Sequence, residues 1–103
     1  MNLNISKNEI LEKLKSVEDP ELGVNIVDLG LIYNIEVQAG ATIFVEMTFT
    51  TPFCPYGSSL QSQVNEVLNE IENVKTVDVK VVFDPAWDKT MISDEAKIEL
   101  GLL

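Results

Sequence analysis

The sequence predicts an α+β fold: a two-layer sandwich in the order α-β-β-α-β-α, with a small three-stranded sheet covered by helices on one face. Three observations carry this reading. Two stretches repeat apolar residues at spacings of three and four, as one face of a helix does. Three others alternate apolar and polar residues, as half-buried strands do. And 46% of the 103 residues are hydrophobic, enough to build one core in a chain of this length. Residues 1–103 are therefore expected to form a single domain.

The first helix is predicted over residues 6–18. Ser6 and Glu9 form an S-x-x-E capping box, Ile5 is placed to act as a staple, and Ile10, Leu14 and Val17 form the stripe, with Leu11 beside it. Pro20 forbids continuation, because the residue before a proline is pushed out of the α region. Residues 19–30 have no clean period, yet they are too apolar for an ordinary surface loop; they read as an irregular segment tucked against the body. From Leu31 the chain alternates, with Leu31, Tyr33, Ile35 and Val37 on one face. Gln38-Ala39-Gly40-Ala41 is the turn of a hairpin, and a second strand over 42–50 points Ile43, Val45, Met47 and Phe49 inward and Thr42, Glu46, Thr48 and Thr50 outward. The second helix carries Leu60, Val64, Leu68 and Ile71 on one stripe and ends near Glu72-Asn73. A third strand over 74–83 shows Val77, Val79, Val81 and Phe83 on one face before Asp84-Pro85-Ala86-Trp87 breaks it. Ser93 caps a short final helix with Asp94 and Glu95 in its first turn, and Gly101 sits where a C′ glycine belongs.

Charge and missing residue types exclude much chemistry. The chain has 17 carboxylates, 7 lysines and no histidine, a net charge of −10, and it contains no arginine. Without histidine there is no Ser-His-Asp triad, Cys-His dyad or imidazole ligand; without arginine there is no bidentate phosphate clamp. A chain this acidic is not expected to bind nucleic acid, where phosphate neutralisation supplies most of the affinity, nor an anionic membrane. No apolar run reaches the ~18 residues of a spanning helix, and the first residues lack the pattern of a signal peptide. A single cysteine, Cys54, excludes an internal disulfide and fits a reducing cytosol, so a cytoplasmic protein is expected.

The residues that can carry chemistry cluster in four places. In Thr50-Thr51-Pro52-Phe53-Cys54-Pro55, the cysteine stands where a strand gives way to a helix. With Cys54 at or near the N-cap and Pro55 at N1, the sulfur would face unpaired N–H groups, an environment that favours thiolate. The alternative is a small buried hydrophobe. Thr50 or Thr51 could place a hydroxyl near the sulfur, or both could be ordinary strand residues. Asp19 and Glu21 put two carboxylates at a helix C-terminal end, where anions are disfavoured; this is either a site or a solvated loop. Asp28 lies in an apolar stretch and needs partners, with the N–H groups of the Gly30 turn as candidates in an Asx-type turn. Trp87 is either a lid over the core or an interaction anchor.

These stretches, taken together and in this order, resemble the MIP18 family, formerly DUF59, which includes SufT-like and PaaD-like proteins of metal–sulfur cluster assembly. The resemblance runs through Asp19-Pro20-Glu21-Leu22-Gly23, Asn25 to Tyr33, Met47 to Pro55, and Asp84-Pro85-Ala86-Trp87 with Met91, Ser93 and Glu95. It implies a small α+β sandwich and a part in iron–sulfur cluster assembly or delivery. It also places the family's signature cysteine on Cys54, its threonine pair on Thr50 and Thr51, and its acidic motif on Asp19 and Glu21. Phe53 stands where many relatives have glycine, and Ala86 where a second proline is frequent. Neither the cysteine-rich tail of some members nor the P-loop ATPase domain of others is expected here, and their activities are not carried over.

Stoichiometry then limits the role. A cluster usually takes four thiolates, and this chain supplies one. The expected function is a non-enzymatic carrier or adaptor that delivers clusters from the assembly machinery to client apoproteins. No cofactor should be tightly bound. A transient iron–sulfur cluster, or a Zn²⁺ or Fe²⁺ ion held by Cys54 and one or two carboxylates, is the cargo to expect, with a homodimer as one way to complete the ligands. Two alternatives stand beside it: a metal-free interaction module with an inert Cys54, and a thiol enzyme. The enzyme would have to use Asp19, Glu21, Asp28 or a lysine as base, and a carboxylate lies ~4 units below an ordinary thiol.

Overall fold

The computed structural model describes residues 5–39 and 41–102. Its elements are α1 (Lys7–Leu14), β1 (Ile32–Gln38), β2 (Thr42–Met47), α2 (Gly57–Asn69), β3 (Thr76–Val81) and α3 (Asp94–Glu99), with a 3₁₀ turn at Lys89–Met91 that the sequence did not suggest. The order is the predicted α-β-β-α-β-α. In the sheet, β2 is central: β1 pairs with it antiparallel and β3 parallel. Parallel neighbours need a crossover, and α2 is that crossover.

The core lies between the helices and the β2 face that carries Ile43, Val45 and Met47, all fully buried. Their partners across the sheet are Val77, Val79 and Val81 on β3 and Val37, Ile35 and Ile32 on β1. Helix α1 contributes Ile10 and Leu14, and α2 contributes Leu60, Val64 and Leu68. On the outer side of β3, Gln61 Nε2 donates to the Val79 carbonyl at 3.3 Å and Asn65 Nδ2 to the Val77 carbonyl at 3.5 Å. A surface cavity of about 430 Å³ lies along that seam.

The Ser6, Ser93 and Gly101 caps are as read. Ser6 Oγ accepts from the Glu9 N–H at 3.1 Å, with Ile5 buried beside α1. Ser93 Oγ accepts from the Ala96 N–H at 3.2 Å. At the other end of α3, Gly101 has φ +75°, its N–H bonds the Ile98 carbonyl, and the Leu102 N–H bonds that of Lys97, which is a Schellman motif. The hairpin turn expected at 38–41 includes Gly40, which lies outside the described residues.

Several boundaries differ, each for a physical reason. Helix α1 stops at Leu14, four residues short of the expectation, because Val17 and Asp19 exchange backbone hydrogen bonds with Ile26 and Val24, and Glu18 bridges to Asn25. Val17 is buried as the stripe required, but in this short ladder rather than in a helix. In β1 the pairing slips between Ile32 and Asn34, a β-bulge that leaves Tyr33 as the extra residue. The expected row of Leu31, Tyr33, Ile35 and Val37 is therefore broken: Ile32 takes the inward place opposite Met47, and Val37, on an edge strand, is 37% exposed. Strand β2 ends at Met47, and Thr48, expected outward, is fully buried: its N–H bonds the Leu31 carbonyl and its hydroxyl donates to the Phe49 carbonyl at 3.5 Å. Helix α2 ends at Asn69, with Ile71 buried in the turn beyond it and Asn73 in the left-handed region at φ +75°. Strand β3 covers the middle of the predicted run, and Phe83 lies outside it, 44% exposed.

Candidate functional site

Cys54 is the shared residue of two consecutive turns. The Cys54 N–H bonds the Thr51 carbonyl at 3.2 Å, and the Gly57 N–H bonds the Cys54 carbonyl at 3.2 Å. Each turn has proline in its second position, Pro52 in one and Pro55 in the other, where a fixed φ near −65° favours the bend. Thr51 Oγ1 accepts from the Phe53 N–H at 3.3 Å and stiffens the first turn. Gly57 closes the second. A side chain there would run into the Phe49 ring, 2.7 Å from an ideal Cβ, so glycine is what lets α2 begin directly over that ring. The same ring stacks at a tilt on Phe83, with centroids 6.1 Å apart.

This arrangement shifts Cys54 relative to expectation. The N-cap of α2 is Tyr56, with no side-chain cap bond, so Cys54 stands two residues before it and Pro55 is not the first helical residue. The dipole acts within the first turn, and the thiol lies outside it. Cys54 is a free, half-buried cysteine, Thr50 is half-buried, and Thr51 is exposed with its hydroxyl engaged by its own turn.

The two acidic candidates part company. Asp19 is buried, and its Oδ1 accepts from the Glu21 N–H at 2.8 Å and the Leu22 N–H at 3.2 Å, while its carbonyl accepts from Gly23. The carboxylate thus locks its own loop, and Gly23, at φ +69°, makes the reversal. Glu21 is exposed. Among the described residues no three His, Cys, Asp or Glu side chains are grouped closely enough to hold a metal ion. Cys54 together with both Asp19 and Glu21 is therefore not an assembled donor set, because one of the carboxylates is spent on backbone.

Asp28 and Trp87 belong to the scaffold. Asp28 Oδ2 accepts from Asn25 Nδ2 at 2.8 Å, and the Asp28 N–H donates to Asn25 Oδ1 at 2.9 Å; Asn25 takes the role expected of the Gly30 turn. The segment 84–93, which we term the strap, is tied across residues 28–33. Trp87 Nε1 donates to the Leu29 carbonyl at 2.7 Å, the Ser93 N–H to the Asp28 carbonyl at 2.7 Å, and the Tyr33 hydroxyl to the Pro85 carbonyl at 2.8 Å. Gly30, at φ +79°, lets Met91 press directly onto the backbone. Trp87 is half-buried and packs on the core as a lid. Sequence reasoning did not assign Tyr33 to this tie. The bulge turns its ring toward the strap, and burial raises its phenol above the ordinary value, the Thr48 hydrogen bond opposing and the Asp88 charge adding. Asp88 itself is held below the usual carboxylate range by the hydroxyl and N–H of Thr90.

No helix among the described residues is long and apolar enough to cross a membrane. The sequence profile of the family described as "Iron-sulfur cluster assembly protein" matches residues 7–81. The chain is 41% identical over 98 residues to an Fe-S protein maturation auxiliary factor of Porphyromonas gingivalis, covering 95% of this chain and 93% of that one. It is 44% identical over 86 residues to the Fe-S protein maturation auxiliary factor SufT of Staphylococcus aureus, covering 84% and 98%. Its fold superposes with a TM-score of 0.88 on the crystal structure of the domain of unknown function DUF59 from Bacillus anthracis, at 38% identity, covering 94% and 92%. A profile match over most of the chain, full-length relatives and a shared fold agree: the chain belongs to the iron–sulfur cluster assembly protein family.

Proposed function

We propose that this protein is an iron–sulfur cluster maturation factor that works as a carrier or adaptor, presenting Cys54 to cargo and client rather than catalysing a reaction. The observation that carries the reading is the double turn. It holds the chain's single thiol, half-buried, outside both the core and the helix, between two prolines that fix its backbone. One thiolate on a pre-set turn is a partial ligand set. Such a site releases a cluster more readily than a closed four-ligand site, and the missing ligands come from a client apoprotein or a second chain. The cluster is cargo here. Thr51 stiffens the turn that presents the sulfur, and Asp19 keeps its own motif loop in shape. A cytoplasmic setting, and partners drawn from the assembly machinery and its clients, go with this role.

Anaerobic reconstitution with iron and sulfide tests it. Wild-type protein should isolate mostly apo and acquire a labile visible absorption that Cys54→Ser abolishes. Full metal occupancy retained in Cys54→Ser, or a stable stoichiometric cluster on a demonstrated monomer, would overturn the carrier reading. No cluster on either protein, with client maturation intact, would leave the adaptor.

A further inference from the structure

Met91 sits where the ties of the strap converge. Its N–H bonds the Asp88 carbonyl at 3.1 Å, and Gly30 lets its backbone and Cβ press onto the chain beneath. Its sulfur has a donor as well: the Tyr33 hydroxyl reaches Met91 Sδ at 3.5 Å and the Pro85 carbonyl at 2.8 Å. A phenol has one proton to give, and a thioether is a weak acceptor, so the carbonyl holds the proton while the sulfur stands beside it. A methionine that merely fills a gap needs no donor at its sulfur. Among the described residues there are two methionines: Met47 is fully buried in the core, and Met91 is half-buried. Met91 is the one a small reagent can reach.

We propose that Met91 is an oxidation site for peroxides, and that its sulfoxide draws the Tyr33 proton away from the Pro85 carbonyl and loosens the strap. In the step, a sulfur lone pair attacks one oxygen of hydrogen peroxide. The S–O bond forms, the O–O bond breaks and water leaves; the sulfur loses two electrons and the peroxide gains them. Hydrogen peroxide is uncharged, so a chain of net charge −10 does not repel it. The product side chain is polar, and it carries a strong acceptor on an atom already within reach of the phenol. Pro85 and Met91 flank Trp87 in the strap. Losing the tie at Pro85 and the apolar seat of Met91 therefore relaxes the indole from both sides, leaving its bond to Leu29 and the Ser93 bond to Asp28. Methionine sulfoxide is reduced enzymatically, so the latch can close again. The site goes beyond the carrier reading and does not involve Cys54.

The test is graded oxidation of the full chain by hydrogen peroxide in a Cys54→Ser background, which removes the competing thiol. Peptide mapping by mass should place an added oxygen on Met91 before Met47. Trp87 is the chain's single tryptophan, so its emission reads the strap directly. That emission should move to longer wavelength in step with Met91 oxidation. Hydrogen exchange of the Ser93 N–H should quicken about tenfold, the worth of one hydrogen bond. Met91→Leu keeps the apolar volume and should show neither change. Tyr33→Phe has no phenol proton to hand over, so it should oxidise at Met91 with a smaller emission shift. Four results would each overturn the proposal: Met91 unmodified until Met47 is oxidised too, oxidised Met91 without an emission shift, the same shift in Met91→Leu, or an undiminished shift in Tyr33→Phe.

Discussion

The Cys54 turn and the Trp87 strap are both loop backbone, and both carry motif residues, but they are held in opposite ways. The strap is fastened from outside itself, by side chains and backbone of residues 28–33. The Cys54 turn is fastened almost wholly from within, by its own two prolines, one threonine hydroxyl and two turn hydrogen bonds. Gly57, against Phe49, joins it to the body. A segment tied to the rest of the fold contributes to global stability. A segment that shapes itself can change its contacts without unfolding anything, and that suits a surface meant to meet a partner. Motif residues thus divide into those that build the scaffold and those the scaffold displays.

This division has consequences of graded size. The largest is expected at Gly30→Ala, where a Cβ meets the Met91 backbone and the left-handed φ of +79° adds strain. Unfolding in denaturant should show a loss of about 2–4 kcal/mol, combining overpacking with backbone strain. Trp87→Phe keeps a ring over the core but removes the donor to the Leu29 carbonyl. It should cost about 1–3 kcal/mol by the same measurement, and a neutral result would mean that the strap is not fastened there. Phe53→Ala and Cys54→Ser should each change stability by less than about 0.5 kcal/mol, since both lie in a turn closed by its own hydrogen bonds. A loss of several times that value would erase the contrast between the two regions.

The smallest effect is one of pH. Asp88, capping the 3₁₀ turn of the strap, has a carboxyl held low by Thr90. Its folded pKa is depressed, so its stabilising contribution is present above the unfolded value near 3.8 and is lost as pH falls through the folded one. The melting temperature of wild type should exceed that of Asp88→Asn at neutral pH, and the gap should close as pH falls below 3.8 and through the folded value. A gap independent of pH would assign the effect to shape rather than charge.

Much of the fold was legible because local chemistry decided it. Ser6, Ser93 and Gly101 cap helices through bonds spanning three to five positions, and the stripe Leu60, Val64, Leu68 needs only a helical period. What escaped the sequence was settled by distant partners. Nothing near Tyr33 announces a bulge; the bulge lets the ring reach Pro85, 52 residues on. Nothing near Val17 says that its helix has stopped, because the competing bonds come from Val24 and Ile26. At the site, Pro-Phe-Cys-Pro marked a bend before a helix, and a bend is there. But the second proline makes a further turn instead of opening the helix, and that moves the thiol outward. The Asp19 and Glu21 pair was legible as sequence and not as geometry, because two backbone N–H groups claim Asp19 and leave Glu21 alone.

The seam between α2 and β3 bears on how such a protein survives its own work. An edge strand offers unpaired carbonyls and N–H groups to any other strand, which makes it a template for aggregation, and charge repulsion between copies weakens as salt rises. Here the rise over four helical residues, about 6 Å, nearly matches that over two strand residues, about 6.6 Å. Gln61 and Asn65 consequently reach Val79 and Val77 in step, like two rungs. An incoming strand must first displace both carboxamides. Because the guard is made of amides rather than charges, it holds equally well at high ionic strength, where repulsion between acidic surfaces is screened.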